Sequence, residues 1–217
     1  MKGSMMLKRD LGPVSIMGFA RYKLKKNVDP QSFVSAAHTW QTQFLAQQDG
    51  IAMHCLLGNL SGEFADVIFA TDNAAFAAMS EAHLRHSSSA SLMAMLDKES
   101  IQLTRNELIG GPHSLPASFS CVEFGSFHPE DTASFSEDKM MAASAMIEQN
   151  YLSRFNAPKA HFMGKTGEHS YSEITFFETL GEAQGICQGY VNDDDCQPLL
   201  NLIDPASVDL DFWFLLA

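Results

Sequence analysis

The stretch Gly50–Thr71, GIAMHCLLGNLSGEFADVIFAT, limits the possible folds most, because its pattern is written twice. Two apolar runs flank Gly58-Asn59-Leu60-Ser61-Gly62, the composition of a β-hairpin. A shift of 107 positions lays His54 on His161, Phe64 on Tyr171, Asp66 on Glu173, Val67 on Ile174 and Phe69 on Phe176 without a gap. The register persists outside the hairpin, where Gly18 meets Gly125, Asp29 meets Ser136, Leu92 meets Leu199 and Leu103 meets Leu210. Caps, turns and apolar positions that stay in step over so long a stretch indicate a duplicated module.

Each module reads strand, helix, hairpin, helix, strand. In the first, VSIMGFARYKL (14–24) is a strand, and Asp29-Pro30 then supplies an N-cap and a first helical residue. Phe33, Ala37, Trp40 and Phe44 form one apolar stripe of that helix, with Gln31, Gln41, Gln47 and Gln48 expected on its wet side. Asp72 caps a second helix carrying Phe76, Met79 and His83, which His86-Ser87-Ser88-Ser89 breaks, and residues 101–109 close the unit as a strand. The order βαββαβ is ferredoxin-like. We therefore expect a loose start at 1–13, a first ferredoxin-like repeat at 14–110, a Gly/Pro linker at 111–117 and a second repeat at 118–217. Helices cover only one face of such a sheet. The expected fold class is α+β, two tandem ferredoxin-like βαββαβ repeats packed sheet-to-sheet as an intrachain α+β barrel.

Charge narrows the partners. A net charge of −12 argues against nucleic acid and anionic membrane surfaces, both of which need clustered cations. The four cysteines show no C-x-x-C spacing, and no run of 18 apolar residues occurs. The expectation is a reduced, cytoplasmic protein, monomer or homodimer, whose partner is a small apolar or aromatic molecule.

Glu81-Ala82-His83-Leu84 with Leu92-Met93-Ala94-Met95-Leu96, and Phe64-Ala65-Asp66-Val67-Ile68, resemble the second helix and third strand of the antibiotic-biosynthesis monooxygenase-like group. That group lies in the dimeric α+β barrel superfamily. The resemblance implies a barrel built within one chain. It also implies an activity drawn from cofactor-free quinol or polyketide oxygenation, haem degradation, lactone isomerisation or none. Haem-degrading members carry a histidine that maps to His83, an Asn in the first strand and a Trp on the second helix. Here the first strand has no Asn, and the tryptophans are Trp40 and Trp213.

His83 follows Met79 by four residues and Phe76 by seven, which turns it toward the sheet. It is the candidate catalytic residue, a general base on a phenol or catechol. The competing readings are a half-buried histidine bonded to a backbone carbonyl, or a metal ligand together with His86. The expected pocket lies between helix and sheet of the first repeat, bounded by Trp40, Phe44, Phe76 and Met79. His86 lies one turn on, and Arg21, which alternates with Met17 and Phe19, could enter the barrel or clamp an anionic group. Tyr190 stands where the second repeat would need a histidine, so such a site occurs once per chain.

His54 and Asp66 are twelve residues apart, as are His161 and Glu173. With the turn centred on Leu60, His54 and Asp66 sit directly opposite one another on one face. Their presence in both halves favours structural polar pairs over a tautomer-fixing catalytic pair. No metal site is expected, and there is neither a Gly-rich phosphate loop nor a nucleophile elbow. The functional expectation is a small-molecule-handling protein acting as a cofactor-independent monooxygenase on an aromatic or quinol substrate. The alternatives are a non-catalytic module binding an apolar metabolite or haem, and a structural or regulatory protein with a filled barrel.

Overall fold

A computed structural model describes residues 5–216. The chain divides into two compact units. One runs to Glu107 and takes in Gly111–Leu115 and the residues from Leu215, while the other comprises Leu108–Gly110 and Pro116–Phe214. The Gly/Pro stretch is thus shared between the units rather than standing apart as a linker.

In the first unit β1 (Met6–Leu7), β2 (Ile16–Tyr22), α1 (Pro30–Gln43), β3 (Ile51–Gly58), β4 (Phe64–Ala70), α2 (Asn73–His83), α3 (Ser87–Met93) and β5 (Gln102–Ile109) follow in order. The strands lie side by side as β1-β3-β4-β2-β5. The second unit contains β6 (Cys121–Phe127), α4 (Glu137–Met146) with a π-helical continuation at Ile147–Tyr151, β7 (Pro158–Gly167), β8 (Ser170–Phe177), α5 (Leu180–Gly189), α6 (Gln197–Leu200) and β9 (Asp209–Leu215). Its strand order is β7-β8-β6-β9. Both units carry the βαββαβ order that the repeat implies.

Local chemistry starts the helices where the sequence signals them. Asp29 accepts from the Ser32 backbone N–H and Asp72 from that of Ala75; Ser136 and Thr179 serve α4 and α5 in the same way. The break between α2 and α3 is a cap too. His86 Nδ1 accepts from the Ser88 N–H at 3.3 Å and lies 2.7 Å from Ser88 Oγ. The loose start is partly tied down: Met6 and Leu7 pair with His54 and Met53 on β3, while residues 1–4 lie outside the described residues.

The hairpin register differs from expectation. Asn59 Oδ1 accepts from the Glu63 N–H, and Gly62, at φ 80°, allows the reversal. The last strand pair is Gly58 with Phe64, so the turn centres on Ser61. His54 consequently faces Ile68, and Asp66 faces Leu56. Histidine and aspartate are diagonal neighbours on one face, not directly opposite.

That face packs against the helices. Ile16, Phe33, Ala37, Trp40, Phe44, Leu45, Leu56 and Phe76 belong to one buried cluster, while Met140, Ile147, Tyr151, Tyr171, Phe177 and Ile186 belong to its counterpart in the second unit. Gly18 is set by this packing, because a Cβ there would lie 2.6 Å from the Phe76 ring. At the repeat-related Gly125 the nearest atom is Leu210 Cδ1, 3.1 Å away at the end of a partly exposed side chain. Gly18→Ala should therefore cost about 1–3 kcal/mol, and Gly125→Ala should stay within about 0.5 kcal/mol of wild type. Denaturant unfolding of both variants measures the difference, and equal costs would contradict the packing described here.

Candidate functional site

The first unit has a half-open cavity of about 360 Å³ between its helices and sheet. Trp40, Phe76, Met79 and His83, all expected around the pocket, line it. So do Tyr22, Asp66, Ile68 and Leu92, of which the sequence reading gave no cavity role to any. Phe44, His86 and Arg21 do not line it. Phe44 packs behind His83, with ring centroids 5.9 Å apart, and also against His86 at 5.1 Å. His86 is occupied as the cap of α3. Arg21 alternates with Ala20 and Tyr22 along β2, so it points away from the cavity face, and its Nε donates to Gln102 Oε1 at 2.6 Å.

His83 ends α2, and its imidazole makes no hydrogen bond to any of the described residues, so the backbone-carbonyl reading does not hold. Its contacts are aromatic: Trp40 meets it edge-on at 5.4 Å and 85°. Burial draws its pKa below the ordinary 6.5, the Asp66 charge pulls the other way and His86 adds to the lowering. At neutral pH it is a neutral base at a cavity wall. Trp40 in turn is held by Nε1–H donation to Ser89 Oγ at 3.0 Å, which gives the serine run after α2 a job in orienting the wall.

Beside His83 stands a hydrogen-bonded chain. Tyr22 Oη donates to Asp66 Oδ2 at 2.6 Å, and His54 Nε2 donates to Asp66 Oδ1 at 2.8 Å. On the far side His54 Nδ1 lies 2.8 Å from Gln41 Oε1. Burial and the Asp66 charge push the Tyr22 pKa well above 10, so this phenol stays protonated and donates. Gln41, expected in water, is only 4% exposed. It falls four residues after Ala37 and so lies on the buried face; its polarity argued for the wrong side. The signal that could have found it is the repeat, because Gln41 and Glu148 both stand 13 residues before the duplicated histidine.

The second unit shows what that pairing means. His161 Nδ1 donates to Glu148 Oε1 at 2.7 Å and Nε2 to Glu173 Oε1 at 2.8 Å. A carboxylate on each ring nitrogen requires both to be protonated. Burial lowers the His161 pKa, but the two carboxylates outweigh it and raise the value to about 10. This is an imidazolium fixed as an ion-pair bridge. In the first unit an amide replaces one carboxylate, and that amide can present either an oxygen or an NH2 to the ring.

Other polar and aromatic positions of the cavity wall have also diverged. Thr175 stands for Ile68, Ala183 for Phe76, Cys187 for Ser80 and Tyr190 for His83. The Cys187 thiol donates to Glu123, whose carboxyl burial and the Glu173 charge push up to about 8. Among the described residues no group of three or more His, Cys, Asp or Glu is placed to hold a metal ion.

No family model matches the chain, and no curated protein matches it. Solved structures do. A candidate monooxygenase from Fusobacterium nucleatum is 10% identical with a TM-score of 0.63, covering 94% of both chains. An anthrone oxidase-like protein is 10% identical, TM-score 0.59, over 99% of this chain and 95% of its own. A chlorite dismutase variant from Candidatus Nitrospira defluvii is 7% identical, TM-score 0.60, over 95% and 93%. At such identities the likeness shows the fold alone: an α+β architecture with two ferredoxin-like βαββαβ modules in one chain. No helix among the described residues is long and apolar enough to cross a membrane.

Haem, which the sequence resemblance brings with it, does not fit this cavity. Its two propionates would need cations, and among the described residues no Lys or Arg lines the cavity while Asp66 does. At about 360 Å³ the space is also at the small end of ligand pockets, suited to one or two rings.

The His161 bridge makes a prediction about pH. Its folded pKa of about 10 lies above the ordinary 6.5, so its contribution to stability is complete below pH 6.5 and is lost as pH rises through 10. Glu148→Gln removes one of the two carboxylate charges and should lower the His161 pKa, flattening that dependence. NMR titration of the ring protons with unfolding at several pH values tests this. An unchanged His161 titration in Glu148→Gln would refute the bridge.

Proposed function

We propose that the first unit binds a small hydroxylated aromatic molecule in its cavity and oxidises it with molecular oxygen, His83 acting as the proton acceptor. The observation that carries the reading is an imidazole without a hydrogen-bond partner among the described residues, set in the wall of an otherwise apolar cavity. Half-buried at the cavity wall, its ring nitrogens are open to water or to a ligand hydroxyl. Tyr22 and Asp66 bring the only other strongly polar groups, and Trp40 and Phe76 offer aromatic walls.

The chemistry follows from the groups. A neutral His83 takes the hydroxyl proton of a bound quinol or phenol, leaving an electron-rich anion. The Asp66 carboxylate stabilises the resulting imidazolium, since its charge favours the protonated ring. The ionised arene is then the reductant for oxygen, and the apolar walls keep water from quenching it. The monooxygenase and anthrone oxidase-like descriptions of two proteins of this fold support the same class of reaction.

Oxygen uptake with a panel of quinols and hydroxyanthracenes tests the proposal. His83→Ala should lower the rate by about a hundredfold or more. The acid limb of the wild-type pH profile should fall below pH 6.5, because burial lowers the His83 pKa. A variant as fast as wild type would remove His83 from the chemistry.

A further inference from the structure

We propose that Asp66 sets the charge of the molecule this cavity accepts: an uncharged hydroxyarene enters, and the carboxylate of the same ring system is turned away. The inference rests on the ligand reading above and adds the substrate's charge class and the residue that determines it.

The polar end of the cavity is built for a donor. Asp66 is held by Tyr22 Oη on one oxygen and His54 Nε2 on the other, one hydrogen bond each. A carboxylate oxygen has two lone pairs, so each retains acceptor capacity. His83 is the second acceptor, neutral because burial outweighs the Asp66 charge. Ser80 Oγ is already directed to the Phe76 carbonyl at 2.8 Å. A hydroxyl placed among these groups finds acceptors.

A carboxylate in the same place finds a like charge. Of the residues lining the cavity none is Lys or Arg, and Asp66 is the one acidic group. Arg21, the nearest cation along β2 from Tyr22, lies on the other face and is bonded to Gln102. The surrounding Trp40, Ile68, Phe76, Met79 and Leu92 offer little dielectric screening. With no Lys or Arg among the lining residues to offset it, a second negative charge beside Asp66 is disfavoured, enough to decide which of two rings of one shape binds.

The experiment is calorimetric titration of the full chain near neutral pH with naphthol and with naphthoate, rings of one shape that differ in charge. Wild type should bind naphthol and bind naphthoate at least about tenfold more weakly. In Asp66→Asn the ratio of naphthol to naphthoate affinity should fall by about tenfold, because the like charge beside the ligand is gone. Equal affinities in wild type overturn the charge assignment while leaving the ligand reading intact, and this arm decides even if Asp66→Asn does not fold. A folded Asp66→Asn that still rejects naphthoate overturns the role of Asp66. Binding of neither ring contradicts the ligand reading itself and, with it, this one.

Discussion

A carboxylate can stand in an apolar wall only if its oxygens are occupied, and the first unit turns on how that is done for Asp66. The five-residue turn at 59–63 places His54 diagonal to Asp66 on the helix-facing side of the sheet. Tyr22, next door on β2, completes the set. Had the turn been one residue shorter or longer, the side-chain alternation would have thrown Asp66 to the other face. Trp40 then wedges between His54 and His83, 5.3 Å from one ring and 5.4 Å from the other, both nearly perpendicular. The carboxylate, the indole and the free imidazole are thus parts of a single packing solution.

Duplication supplied this scaffold twice, and the two copies have separated in their polar chemistry. The histidine and its β4 or β8 carboxylate survive in both, which is what a sheet-to-helix fastening requires. At the third position Gln41 against Glu148 decides how much charge the histidine must carry. In the second unit the ring is clamped between two carboxylates and the place of His83 goes to Tyr190, a buried phenol whose pKa burial and nearby Glu173 push well above 10. The first unit leaves one base facing a cavity.

Much of the fold was legible in the sequence because it was written in repeated, local signals. Asp29-Pro30, Asp72 and Ser136 start helices by bonds to their own neighbours, and the 107-residue offset makes each such signal count twice. His83 could be placed at a helix–sheet gap from periodicity alone. The register of His54 with Asp66 could not, because it depends on whether the turn centres on Leu60 or Ser61. Gln41 was hidden by its polarity, although it shares a helix face with Phe33 and Ala37. Tyr22 and Asp66 became cavity residues only through strand alternation combined with the cross-strand bond. Arg21 shares its face with Met17 and Phe19, as its alternation along the strand implied, and so lies away from the helix-side cavity that Tyr22 lines.

The most direct measurement is a crystal structure of the protein with a naphthol or hydroxyanthracene bound. The account predicts the ring within the first-unit cavity against Trp40 and Phe76, its hydroxyl at hydrogen-bond distance from the His83 imidazole. A ligand seated elsewhere, or a cavity closed by repacked side chains with His83 bonded to the protein, would contradict it.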